Sequence, residues 1–263
     1  MKNLYFHAPY QTCFRINCDC DEINANLYLH FGKYISENKF PAEYEISITQ
    51  NGEQYVMESG GTARETSNPL LEIDRFIFEK TKYDNSVFAI HGAAVEYNGK
   101  AYLFSAATTG GKTTLATYLT NRGMGYITDD CILLDRENFC IYPYNTPIHL
   151  RPGGVEALKK CGISLRLKEY GSGIYQRFTY NPENCVTQKT PLGKIFFISR
   201  NENENKVEKM TTVEKFTELM KSPITLYDTN AEYIRFISRL AVQQCFILKY
   251  SDLDFVKEVI RNG

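Results

Sequence analysis

The chain has little of what would carry a protein to nucleic acid or into a membrane. Its 30 basic residues are matched by 31 acidic ones, for a formal net charge of -1, so no general electrostatic attraction to nucleic acid or anionic lipid is available. Long hydrophobic runs are missing: stretches such as AYLF and IFFI are strand-sized, against the roughly 20 apolar residues that a membrane-spanning helix needs. The first residues, MKNLYFHAPYQTCF, lack the continuous apolar core of a signal peptide, and a cytosolic protein is expected. There is no internal repeat and no low-complexity tract. Cysteine is not scarce, but its eight residues, Cys13, Cys18, Cys20, Cys131, Cys140, Cys161, Cys185 and Cys245, have no repeated spacing, and a disulfide framework is not expected in that compartment. NCDCDE (17–22) sets two thiols beside carboxylates, yet C-x-C without a second pair or a nearby histidine pattern reads as free thiols before it reads as a metal site. What remains, 43% hydrophobic and 23% charged residues over 263 positions, is ordinary globular composition, enough for one large core or two modest ones.

Periodicity divides the chain. The first 65 residues hold short alternating pieces, CFRIN and YEISITQNGEQYVME, the second broken by Asn51-Gly52 in a hairpin signal. This half reads as a small α/β domain. In ETSNPLLEIDRFIFEK (65–80), Asn68 is the expected N-cap and Pro69 the first helical residue, with Leu70, Ile73 and Ile77 as the buried stripe of a helix linking the halves. Then VFAIHGAAVEYNGKAYLFSA offers two apolar strands joined by Asn98-Gly99, so the second strand is expected to be one arm of an antiparallel hairpin. Parallel neighbours need longer crossovers, and a mixed sheet follows. TTLATYLTNR (113–122) reads as a helix stopped by Gly123, and MGYITDDCILLD as a strand delivering two aspartates. KIFFIS (194–199) and CFILKY (245–250) read as buried strands, RNENENKVEK (200–209) as a solvated loop or hairpin end. Thr211 with Glu214 and Thr229 with Glu232 are capping-box starts, and SDLDFVKEVIRNG reads as a terminal helix.

The segment between the second hairpin strand and the helix is FSAATTGGKTTLA. It fits the phosphate-loop frame G-x-x-x-x-G-K-[ST], with Ala106 in place of the first glycine and Gly111, Lys112 and Thr113 at the end. Consecutive N–H groups in a glycine-containing turn, followed at once by a helix N-terminus, make a concave site for anionic oxygen. On this reading Thr108, Thr109, Gly110, Gly111, Lys112, Thr113 and Thr114 cradle a nucleotide, Lys112 reaches the terminal phosphates, and Thr113 offers its hydroxyl to magnesium. The plain alternative is a helix start at which a threonine is merely a cap. Asp129-Asp130 are costly beside an apolar strand unless a cation or polar partners neutralise them. On a strand they point to opposite faces, so one can serve a metal and the other a substrate. Alternatively they form an exposed turn. His91 is expected beside the strand that enters the loop, orienting a carboxylate, contacting a phosphate, or packed in the core. Arg151 in HLRPGG is either a further cation of the site or a surface arginine. His7, His30 and His149 lack comparable context.

In order, IHGAAVEYNGKAYLFSAATTGGKTTLA, GYITDDCILLD, PIHLRPGG and PLGKIFFISR resemble the HPr serine kinase/phosphorylase superfamily, whose fold is related to phosphoenolpyruvate carboxykinase. More specifically they look like the shorter HPr-kinase-like proteins that phosphorylate precursor peptides in lasso-peptide and related biosynthetic clusters. The resemblance is strong from His91 to Gly154. It implies an α/β fold in which a small N-terminal domain, residues 1–85 and a candidate for acceptor recognition, precedes a nucleotide-binding catalytic domain with a mixed sheet, residues 86–263. It further implies an ATP- and magnesium-dependent kinase acting on a serine or threonine hydroxyl, with a ribosomal precursor peptide or protein as acceptor and room for a homo-oligomer. By position, His91, Lys112 and Asp129 become catalytic, with Asp129 the base, and Asp130 joins Thr113 on the magnesium side. A kinase for a small alcohol such as free serine, and a nucleotide-sensing or peptide-binding protein without catalysis, remain the alternatives.

Overall fold

Alternating apolar residues build the first sheet. β1 (Lys2–His7) and β2 (Cys13–Cys18) run antiparallel, and β3 (Ile35–Ser36) flanks β1. β2 also pairs in parallel with β4 (Tyr44–Asn51), and the crossover this requires includes α1 (Asp21–Phe31). β5 (Gln54–Ser59) and β6 (Thr62–Thr66) complete the order β3-β1-β2-β4-β5-β6. The hairpin announced by Asn51-Gly52 forms one residue later: Asn51 pairs with Gln54 across Gly52 and Glu53. α2 (Pro69–Tyr83) starts where Asn68 Oδ1 accepts from Leu71 N at 3.2 Å. It is the last element of this unit and packs within it, burying Ile73 and Phe76, the latter edge-on to Phe14 and Tyr44.

The computed structural model describes residues 2–7, 13–36, 38–83, 87–170, 176–201, 203–222 and 231–263. The chain divides into the units Met1–Tyr83 and Asp84–Gly263.

In the second unit β7 (Val87–His91) is followed by the hairpin of β8 (Ala93–Tyr97) and β9 (Lys100–Ser105), with Asn98 and Gly99 at φ 51° and 74° in its two-residue turn. α3 (Lys112–Asn121), β10 (Gly125–Thr128), β11 (Cys131–Asp135), β12 (Cys140–Tyr142), β13 (Ile148–Leu150), α4 (Pro152–Lys160), β14 (Lys168–Tyr170), β15 (Arg177–Tyr180) and β16 (Thr190–Arg200) come next. β17 (Lys206–Lys209), α5 (Thr212–Lys221), α6 (Ala231–Leu240), β18 (Cys245–Tyr250) and α7 (Leu253–Arg261) finish the unit. The main sheet runs β10-β8-β9-β16-β12-β11-β7, with β18 beside β16 and β17 beside β18; β13, β15 and β14 form a small separate sheet. β9, β16 and β18 are parallel neighbours while β8 and β9 are antiparallel, so the fold class is α/β with a mixed sheet, as the hairpin predicted.

Helices cover both faces. Tyr102, Phe104, Phe196 and Ile198 pack under α3, α4 and α7, whereas Leu103, Ile195 and Phe197 pack under α5 and α6. Strands buried on both faces must be apolar at every position, which is why AYLF and IFFI do not alternate. Full burial of each large side chain contributes about 1.5–3 kcal/mol.

The capping box at Thr211 forms, with Thr211 Oγ1 accepting from Glu214 N at 3.3 Å and Glu214 Oε2 accepting from Thr211 N at 2.8 Å. The one expected at Thr229 lies outside the described residues. Two strand readings change. The charged segment 200–209 is not simply solvated, since Lys206–Lys209 pairs with β18 as an edge strand. MGYITDDCILLD is two strands rather than one: β10 pairs with β8 and β11 with β7 and β12, and the chain changes neighbours at the aspartates.

Candidate active site

β9 ends in the core at Ser105, and residues 106–111 turn the chain into α3. Gly110 N donates to Ala107 O at 3.0 Å, closing the turn. Gly110 has no room for a side chain: a Cβ there would meet Ala106 Cβ at 2.6 Å and Ala107 O at 2.9 Å. Gly111, the N-cap of α3, lies at φ 90°, in the left-handed region that glycine enters without strain. It offers no side chain to the first-turn amides of the helix, and no side-chain cap replaces it. Those donors are the ones an anion satisfies at a helix start. Thr108 and Thr109 are exposed at the loop tip, Thr109 at φ 68°. Thr114, in the first turn, touches α4, since a Cβ on Gly154 would meet its Oγ1 at 2.8 Å.

Lys112 is buried, at 5% exposure. Its Nζ donates to Ala106 O at 2.9 Å and Ala107 O at 3.3 Å. Burial pulls the ammonium below the ordinary lysine range, against the opposing pull of Asp130 and Asp129.

The aspartates lie in the bend between β10 and β11, not on a strand. Asp130 stands at φ 65° and is exposed, whereas Asp129 is buried. Thr113 Oγ1 donates to Asp129 Oδ1 at 3.3 Å. Burial, and then Asp130, push the Asp129 carboxyl up to about 8, while the Thr113 hydroxyl and Lys112 pull the other way. A buried carboxyl beside a hydroxyl, a buried ammonium and an uncapped helix start therefore share one end of the sheet. This donor set fits an anion together with a cation.

His91 reaches the site by a different route from the one expected. It is not in the hairpin but ends β7, paired with Cys131. Its Nδ1 donates to Asp130 O at 3.0 Å, so the ring holds the backbone of the aspartate bend rather than a carboxylate. Its own N–H donates to Ser222 O at 2.8 Å, and Ser222 Oγ lies 2.9 Å from Ser105 Oγ. Ser222, the C-cap of α5, thus ties β7 and the end of β9 together. No local pattern marked it. Arg151 is the exposed N-cap residue of α4, a helix whose first turn meets Thr114. His30 lies 3.4 Å from Asp74 in the first unit, and His149 lies beside Thr179 in the small sheet; the side chain of His7 lies outside the described residues. No group of three or more metal-ligating side chains occurs among the described residues, around NCDCDE or elsewhere. None of the described helices is long and apolar enough to cross a membrane.

A scan of protein-family models and a search of curated proteins gave no match. Among solved structures the chain is similar to the HPr(Ser) kinase/phosphatase from Coxiella burnetii, at 12% identity and a TM-score of 0.36, over 66% of this chain and 88% of that one. At that distance the site stands on its own residues.

Proposed function

We propose that this chain is a magnesium- and ATP-dependent kinase that phosphorylates a serine or threonine hydroxyl, with a peptide as acceptor. The observation that carries the reading is the convergence on the loop of residues 106–113: Gly111 opens the first turn of α3 without a cap, Lys112 is buried behind it, and Thr113 joins it to Asp129. The peptide half rests on the order of motifs from His91 to Gly154.

On this reading the amides from Gly111 to Thr114 hold phosphate oxygens, and Lys112 exchanges the carbonyls of Ala106 and Ala107 for them. Thr113 and an aspartate would hold magnesium, which when bound would supply neutralisation of phosphate charge. The acceptor oxygen bonds to phosphorus as the bond to the leaving phosphate oxygen breaks, and the acceptor proton passes to a carboxylate. Burial, and then Asp130, raise Asp129 above the ordinary carboxylate range, the direction in which carboxylate general bases are tuned. Asp130 then stands on the magnesium side. The Thr113–Asp129 hydrogen bond favours a second assignment, with Asp129 on the magnesium side and exposed Asp130 facing the acceptor.

The test is transfer of labelled γ-phosphate from magnesium-ATP to serine-containing peptides encoded beside the gene, with free serine in parallel. Transfer to the peptide that drops steeply when remote residues are trimmed supports the peptide kinase. Transfer to free serine alone replaces it with the small-alcohol kinase, and nucleotide binding without turnover with a sensor. No binding at all overturns the reading.

A further inference from the structure

Tyr250 ends β18, one of three parallel neighbours, and stands in register with Arg200 at the end of β16. Ligands of open α/β sheets gather at the carboxyl ends of such strands. The ring is part of the core, with Leu115, Leu248, Leu253 and Val256, and the residue is 2% exposed.

The hydroxyl is in a different position from the ring. It lies where a Cβ on Gly111 would come within 3.1 Å of it, so it faces the bare backbone at which α3 begins. Among the described residues it makes no hydrogen bond. The ring is packed while the hydroxyl has no partner among those residues, so an acceptor from outside the chain can take its hydrogen bond at no cost in internal hydrogen bonds. Burial pushes the phenol up to about 12, against the opposing charge of Arg200, so at neutral pH it is a proton donor. The acceptor it lacks is an anionic oxygen of the kind the uncapped first turn of α3 attracts. Glycine at 111 is therefore required twice, for its φ of 90° and to leave the hydroxyl and the loop unseparated.

We propose that the Tyr250 hydroxyl is a phosphate-binding donor of the loop, giving a hydrogen bond to an oxygen held by Gly111 and the first turn of α3. This inference rests on the phosphate-loop reading and adds a residue far away in sequence to it.

Tyr250→Phe removes the hydroxyl and keeps the ring. Calorimetric titration of the full chain with magnesium-ADP and with pyrophosphate, beside a melting curve without ligand, tests it. Affinity for both ligands is expected to fall about 10-fold or more, as for a hydrogen bond to a charged group, with the ligand-free melting temperature unchanged or higher. Wild-type affinity in the variant overturns the proposal, as does a loss seen with ADP and not with pyrophosphate, or a variant that melts several degrees lower or does not fold. If the wild-type chain binds neither ligand, the phosphate-loop reading itself fails and takes this inference with it; that result is distinct from a wild type that binds and a variant that binds equally well.

Discussion

Thr113 Oγ1 donates to Asp129 Oδ1 at 3.3 Å, tying the first turn of the helix after the loop to the bend between β10 and β11. One hydrogen bond thus joins two motifs that are separate in the sequence, and it makes the roles of the two aspartates separable by experiment.

With Asp129 as base, Asp129→Asn keeps magnesium-nucleotide affinity and loses transfer by at least about 100-fold, the usual size of general-base assistance. Asp130→Asn then weakens the magnesium-dependent part of nucleotide binding as well. With the roles exchanged, the two phenotypes change places. Nucleotide titrations with and without magnesium, followed by single-turnover transfer, distinguish the assignments. Normal turnover by both variants makes the bend purely structural.

Lys112 is buried, with the carbonyls of Ala106 and Ala107 as partners. Lys112→Met keeps the aliphatic stem and removes the charge. Transfer is expected to disappear while the melting temperature moves by only a few degrees, because burying an ammonium is costly and offsets much of what its hydrogen bonds contribute. A variant with full activity would falsify the loop assignment.

Gly110→Ala forces a methyl group against Ala106 Cβ and Ala107 O. Overpacking of this kind costs about 1–3 kcal/mol. Because the strain falls on the turn that shapes the loop, nucleotide affinity should drop about 10-fold, with melting lowered by a few degrees. Adding Ala106→Gly removes the closer of the two contacts, and part of the affinity should return. No loss in the single variant, or no recovery in the double, means that the turn does not touch the nucleotide.

Burial in β18 raises the Cys245 thiol from 9.0 to about 11. The fold favours the neutral thiol, so this contribution to stability is complete below about pH 9 and is lost as pH rises through about 11, where it amounts to about 2–3 kcal/mol. Urea denaturation of wild type and Cys245→Ala across that window checks the sign. The stability gap between them should shift in favour of the alanine chain as pH rises, and a constant gap would contradict the shift.

The local sequence by itself determined the hairpin at Asn98-Gly99, the run of Gly110, Gly111 and Lys112 into a helix, and the capping box at Thr211. Each depends on backbone angles and hydrogen bonds spanning a few residues, so the residue types in a short window are sufficient. The AYLF and IFFI runs likewise showed strands covered on both faces. Tertiary structure decided the rest. His91 meets the aspartate bend instead of the loop because β7 pairs with β11 rather than with β9. The aspartates lie in a bend because the strands on either side of them take different partners. The Tyr250 hydroxyl faces Gly111 because β9, β16 and β18 are laid side by side. Strand order is set by which long-range pairings bury the most apolar surface, and no short window of sequence contains both members of such a pair.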